Sequence, residues 1–104
     1  MCVIEIRQTA EYKSWFEKRR DHKAQLRIVT RIWRLSHGHF GDIRPIGEGV
    51  SELRIMYGPG YRIYLKQQGD AMVILLADGD KSTQRRDIKR AKKLARKLKE
   101  EPNG

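Results

Sequence analysis

The chain has 104 residues, of which 38% are apolar and 35% are charged. This length and composition suit one compact domain and exclude two, and the aromatic residues provide bulk for a core. A single cysteine, Cys2, excludes an internal disulfide framework and a zinc site built on several thiolates. The chain lacks an apolar run of about 18 residues and a signal-peptide core, so we expect a cytoplasmic protein.

The excess of basic residues is the strongest feature of the composition. Lys and Arg number 23 against 13 Asp and Glu, which gives a formal net charge of +10. The positive charge is concentrated in residues 1–40 and 81–104, whereas residues 41–80 are slightly acidic. A small domain with this field attracts polyanions. The charge therefore indicates nucleic acid, an acidic protein or an anionic membrane surface as the partner.

The first forty residues predict a short strand followed by a helical hairpin. Alternation around Ile4 and Ile6 is typical of a strand. Thr9 and Asp21 each precede a stretch with helical period and can cap it, which predicts two helices joined by a tight turn near Asp21. Four aromatic side chains of these helices are assigned to the core: Tyr12, Trp15, Phe16 and Trp33.

The middle of the chain predicts an antiparallel meander. An extended segment from Val50 to Tyr57 is followed by the turn Gly58-Pro59-Gly60, and residues 61–66 then alternate between apolar and polar side chains. Residues 72–76 form a continuous apolar run, which is typical of a central strand buried on both faces.

A basic helix over about 82–99 ends the predicted fold, and residues 100–104 are expected to form a frayed tail. The predicted order of elements is β-α-α-β-β-β-α, in one domain over residues 1–104. We therefore expect an α+β fold with a small, antiparallel-rich sheet and with the helices packed on one face of it.

Two blocks of residues carry a resemblance to a known family. Residues 49–64, with the sequence GVSELRIMYGPGYRIY, resemble the paired-strand core of the RelE/ParE toxin superfamily. Residues 75–84, LLADGDKSTQ, followed by Asp87, Ile88 and Ala91, are similar to its HigB-like branch of addiction module killer proteins. The resemblance extends over about residues 3–95.

The resemblance implies a RelE-like fold and the toxin of a type II toxin–antitoxin system. Relatives of the RelE and HigB type cleave mRNA on the ribosome, whereas relatives of the ParE type inhibit DNA gyrase without catalysis. A ribosome-dependent mRNA endoribonuclease is the first function expected. A gyrase inhibitor is the alternative, and a non-enzymatic RNA-binding module is a third. The expected partners are the ribosome, mRNA and a cognate antitoxin of the helix-turn-helix type in a hetero-oligomer, with no membrane, metal or organic cofactor.

The candidate catalytic residues are Arg62, Arg54 and Lys81. Metal-free RNA cleavage has to stabilise a pentacoordinate phosphate and move two protons, and the planar fork of arginine suits the phosphate. Arg62 matches the phosphate-binding arginine of the superfamily, and Arg54 matches a basic position on the preceding strand. Apolar residues alternate with both arginines, so we expect both guanidinium groups to leave the core face. Lys81, just past the apolar run, can stabilise the phosphate or transfer a proton.

The candidate RNA-binding residues are Tyr64, Arg85, Arg86 and Lys89. Tyr64 shares a strand face with Arg62 and is expected to stack on a base. The other three belong to the basic segment of residues 81–99, which contains ten Lys and Arg and a single acid. Asp78 and Asp80 are expected to end the strand and cap this helix. No Tyr or His follows residue 64, which leaves the proton donor open.

Overall fold

The structure, a computed structural model, describes residues 3–100. The elements in chain order are β1 (Glu5–Gln8), α1 (Ala10–Glu17), α2 (His22–Ser36), β2 (Ile43–Gly47), β3 (Val50–Ile55), β4 (Tyr61–Gln68), β5 (Met72–Gly79), a 3-10 turn (Lys81–Thr83) and α3 (Gln84–Glu100). The predicted α+β class is confirmed. Of the predicted frayed tail, residue 100 belongs to α3, and residues 101–104 lie outside the described residues.

Both predicted caps of the helical hairpin are present. The Thr9 hydroxyl accepts a hydrogen bond from the amide of Tyr12 at 3.2 Å. Asp21 Oδ1 accepts from the amides of Lys23 and Ala24 at 3.0 and 3.2 Å. These side chains satisfy amides that have no partner within the first turn of their helix. The two caps fix where α1 and α2 begin.

The sheet has five strands in the order β1-β5-β4-β3-β2. β1 pairs with β5 in parallel, and the other three neighbouring pairs are antiparallel, so the sheet is antiparallel-rich as predicted. The predicted order of elements is wrong in one place, because β2 was missed. This edge strand contains Pro45, and its register shifts between Pro45 and Gly47, which breaks the alternation by which a strand is identified.

The helices pack on both faces of the sheet, so the prediction that they share one face is wrong. The first core, under α1 and α2, includes Tyr12, Ile28, Leu53, Ile63 and Leu75. The second core, under α3, includes Val50, Tyr64, Leu76, Ala91 and Ala95. The physical reason is that β5 is apolar on both faces, with Val73 and Leu75 in the first core and Ile74 and Leu76 in the second, so each face has to be covered. No helix within residues 3–100 has the length and apolar composition that crossing a membrane requires.

Trp33 lies outside the core, contrary to the prediction. Its surface is 61% exposed, and its ring packs on that of His37 with 4.3 Å between ring centroids. α2 instead buries Ala24, Ile28 and Leu35 against the sheet. Two stripes of α2 have a helical apolar period, and only one of them can face the sheet.

Candidate functional site

Arg54 and Arg62 are direct cross-strand partners in the β3–β4 hairpin. Both line a cavity of about 190 Å³ beside the turn of this hairpin, which we call the arginine cleft. The other residues lining the cleft are Asp42, Ile55, Met56, Gly60 and Tyr61. Lys81 is close to the cleft, because a Cβ placed on Gly60 would lie 3.7 Å from Lys81 Cβ. The structure thus brings the three candidate catalytic residues to one end of the sheet.

Arg54 lines the arginine cleft with a partly exposed side chain. Its Nε donates to Asp42 Oδ2 at 3.2 Å, and the Arg54 and Asp42 side chains are 38% and 39% exposed. Ion pairs this exposed contribute little to stability, because water screens them. Arg54 can therefore exchange Asp42 for an anionic ligand at low cost.

Arg62 has a different environment, because it is paired beneath the surface. Its Nη1 donates to Glu52 Oε1 at 3.0 Å; Arg62 is 9% exposed and Glu52 is completely buried. Arg62 does leave the first core as predicted, but it lies near the start of α3 rather than in open solvent. Its Nε is buried and has no hydrogen-bond partner among the described residues. Among the described residues, Glu52 is the carboxylate that pairs with Arg62.

Glu52 is a member of the site that the sequence did not reveal. Its second oxygen, Oε2, accepts from the Tyr64 hydroxyl at 3.1 Å and from Gln84 Nε2 at 2.9 Å. The register pairs Glu52 with Tyr64 directly across the β3–β4 ladder. The sequence does place a carboxylate, Glu52, on the strand face shared by Arg54, Arg62 and Tyr64. The burial of this carboxylate could not be predicted, because it depends on where α3 packs.

Tyr64 is completely buried in the second core, so a base has no access to its ring in this structure. Burial raises the pKa of its hydroxyl, and the nearby Glu52 charge raises this pKa further. Tyr64 supports Glu52 and is not included in the RNA contacts proposed below.

The two aspartates after the apolar run have different roles. Asp80 caps the turn before α3 as predicted, since its Oδ1 accepts from the amide of Ser82 at 2.8 Å. Hydrogen bonds from Ser82 lower the pKa of Asp80. Asp78 does not end its strand and lies within β5, where it is 1% exposed. Both its oxygens lack a hydrogen-bond partner among the described residues, and burial raises its pKa to about 9.

The part of the chain that the structure describes has two basic surfaces, one on α3 and one beside α2. The predicted one lies on α3, where Arg85, Arg86 and Lys89 are exposed. The second is a groove of about 470 Å³ between α2 and the end of β3, which we call the α2 groove. Its cations are Lys23, Arg27, Arg31 and Arg34, and its other residues are Leu26, Thr30, Ile55 and Met56.

The α2 groove adjoins the arginine cleft, because Ile55 and Met56 line both. Leu26 and Met56 are 67% and 89% exposed, so apolar surface is mixed with the positive charge. The helical spacing of Lys23, Arg27, Arg31 and Arg34 was the sequence signal for this surface.

Sequence comparison identifies a relative of the chain. The chain is 50% identical over 96 residues to an uncharacterized protein of Haemophilus influenzae, a match that covers 92% of this chain and 97% of that protein. The chain therefore belongs to the same family as that protein. No protein-family model matches it.

A solved structure shows the same fold. A chain in the crystal structure of the toxin–antitoxin complex RelBE2 from Mycobacterium tuberculosis is similar, with a TM-score of 0.61 and 15% sequence identity. The match covers 79% of this chain and 95% of that chain. The RelE-like fold that the sequence resemblance implied is thereby confirmed.

Proposed function

We propose that this chain is the toxin of a type II toxin–antitoxin system, of the HigB-like kind, and that it cleaves ribosome-bound mRNA in the cytoplasm without a metal ion. The observation that supports the proposal is the pairing of Arg54 with Arg62 at an open cleft, with Lys81 beside it. Two guanidinium groups and an ammonium group can stabilise the charge that develops on a phosphate during transfer. The toxin–antitoxin setting of the structural neighbour agrees with the role.

The cleft provides groups for each part of the reaction. Arg54 turns from Asp42 to a phosphate oxygen, while Arg62 stays fixed by Glu52 and binds from the other side. The Asp42 carboxylate, which lines the cleft, then accepts the proton of the attacking 2′-OH. Lys81 adds positive charge and can donate a proton to the leaving 5′-oxygen. These steps require no cofactor.

The basic surface of α3 holds the RNA on either side of the cut. Arg85, Arg86 and Lys89 are exposed on the first turns of α3, which begins directly after the 3-10 turn Lys81–Thr83. Contacts of this kind go to phosphates and carry no sequence information, so they supply affinity for ribosome-bound RNA.

The antitoxin, expected to be of the helix-turn-helix type, covers the α2 groove with an acidic segment that also carries apolar anchors. The groove presents four cations, and among its lining residues Leu26 and Met56 are strongly exposed. Opposite charge and matching apolar surface favour such a segment. Because the groove adjoins the cleft, a segment seated there is close enough to block Arg54.

Pulse labelling after induction tests the proposal. If the chain is an mRNA nuclease, incorporation of amino acids stops before incorporation of thymidine. An Arg54→Ala variant should relieve the arrest. If DNA synthesis stops first, the nuclease proposal fails.

A gyrase inhibitor is the second candidate, and one observation favours it. The residues that line the cleft include no imidazole, and each arginine already has a carboxylate partner. Under this alternative the two arginines would bind protein rather than a phosphate, and purified gyrase would lose supercoiling activity when the chain is added.

A further inference from the structure

We propose that Glu52 is the positioning residue of the arginine cleft: its buried carboxylate fixes the Arg62 guanidinium for phosphate binding and ties it to the first turn of α3. This inference rests on the proposed function and extends it to a residue that does not touch the RNA. The carboxylate acts through Arg62, which is the group that lines the cleft.

The carboxylate is held from two elements at once. Oε1 accepts from Arg62 Nη1, while Oε2 accepts from Tyr64 of β4 and from Gln84 of α3. With both oxygens engaged, the carboxylate cannot turn without losing a charge-assisted hydrogen bond. The position of Arg62 therefore depends on the docking of Gln84 as well as on the sheet.

The two ion pairs of the cleft differ in how far they are exposed to solvent. The Arg54–Asp42 pair is about two-fifths exposed on each side, whereas the Glu52 side chain is fully buried and that of Arg62 is 11% exposed. A buried pair is screened much less than an exposed one, so it holds its geometry more firmly, while an exposed pair exchanges partners more easily. One arginine is thus adaptable and the other is fixed.

Stability alone does not explain a carboxylate at position 52. Replacing a buried ion pair by well-packed apolar residues is often neutral or stabilising, because burying two charges costs solvation. This pair also leaves the Arg62 Nε without a partner among the described residues. The buried Arg62–Glu52 pair is costly for folding and lies beside the arginine cleft. The orientation that it imposes on Arg62 accounts for its presence there.

The matched pair of variants for the test is Glu52→Gln and Glu48→Gln. Glu48 also pairs with an arginine, Arg96, but at an exposed site away from the cleft. For Glu52→Gln we expect kcat for ribosome-bound mRNA to fall by about a hundred-fold with KM within about two-fold, because a displaced group loses catalysis rather than binding. Glu48→Gln should cleave at the wild-type rate. Thermal melting shows that each variant is folded.

The second readout is the nitrogen-15 NMR spectrum of the Arg62 guanidinium, which does not require nuclease activity. In the wild-type protein the Nη protons should give separate signals, because the ion pair slows rotation. In Glu52→Gln these signals should average. If the wild-type protein cleaves no mRNA, the proposed function fails, and the guanidinium signals alone decide whether Glu52 positions Arg62.

A milder variant covers the case in which Glu52→Gln does not fold. Gln84→Met keeps the length of the side chain and removes one donor to Glu52 Oε2. We expect the Arg62 signals to broaden. We also expect kcat to fall by about ten-fold, because that factor corresponds to the loss of one hydrogen bond to a charged group. Wild-type cleavage by folded Glu52→Gln, or unchanged Arg62 signals in every folded variant of the network, would overturn the proposal.

Discussion

Replacing Asp78 by asparagine should remove a pH dependence from the stability of the fold. Asp78 is buried without hydrogen-bond partners for its oxygens among the described residues, and its pKa is raised from 3.8 to about 9. Burial is the largest cause; the Asp87 charge also raises this pKa, while Arg90 and Arg19 lower it. Asn has the shape of the protonated carboxyl but cannot ionise.

The change of stability with pH that Asp78 causes has the opposite sign to that of an ordinary ion-paired carboxylate. Between about pH 4 and pH 9 the folded protein keeps a proton on Asp78 that the unfolded chain has released. The Asp78 contribution to the free energy of unfolding therefore falls by about 1.4 kcal/mol for each pH unit in this window. Between about pH 5 and pH 7, the free energy of unfolding of Asp78→Asn should therefore rise relative to that of the wild-type protein by about 3 kcal/mol.

Denaturation by urea at several pH values measures this difference directly. Every other titratable group is shared by the two proteins, so subtracting their free energies of unfolding isolates Asp78. Asp70→Asn, at an exposed turn, is the matched control for the loss of one carboxylate. A difference between Asp78→Asn and the wild-type protein that stays constant with pH would refute the assignment of a protonated, buried Asp78.

Three further predictions concern the site and the sheet. Arg62→Ala should lower the free energy of unfolding by about 3–5 kcal/mol, measured by urea denaturation, because it leaves the buried Glu52 without its cation. Gly79→Ala should lower the free energy of unfolding by about 1–3 kcal/mol, since the new Cβ would lie 1.8 Å from Asp87 Oδ2. In Gly69→Ala, the control, the new Cβ meets no atom of the described residues within 4 Å, so the strain of a positive φ is the expected cause of any loss of stability. Affinity for RNA should fall by about three orders of magnitude for a fourfold rise in salt if about six phosphates are contacted, and flat binding in a filter assay would exclude α3 as the RNA surface.

The convergence of the candidate catalytic residues could be predicted because it depends on local signals. The turn Gly58-Pro59-Gly60 fixes where the hairpin reverses, and the alternation of its strands places Arg54 and Arg62 on one face. The apolar run ends beside Arg62, which brings Lys81 to the same end of the sheet. These relations follow from register alone.

The remaining features depend on which surface covers which, and a single sequence does not contain that information. Glu52 and Tyr64 have the pattern of solvent-facing strand residues until α3 packs over them. Trp33 belongs to an apolar stripe that competes with the one that α2 buries. β2 could not be identified from the sequence because Pro45 and a register shift interrupt the alternation of its side chains. In each case tertiary packing decided between two locally acceptable arrangements.

The Arg54→Ala variant tests the central claim, that the arginine cleft binds the scissile phosphate. Arg54 is suited to this test because its side chain is partly exposed and its ion-pair partner among the described residues, Asp42, is partly exposed as well. Arg7→Ala, on the edge strand β1 and separated from β3 by β5 and β4, removes the same charge and is the control. In single-turnover cleavage of ribosome-bound mRNA we expect Arg54→Ala to be slower by about a hundred-fold or more, with an unchanged melting temperature. A folded Arg54→Ala protein that cleaves mRNA as fast as Arg7→Ala and the wild type would contradict the account.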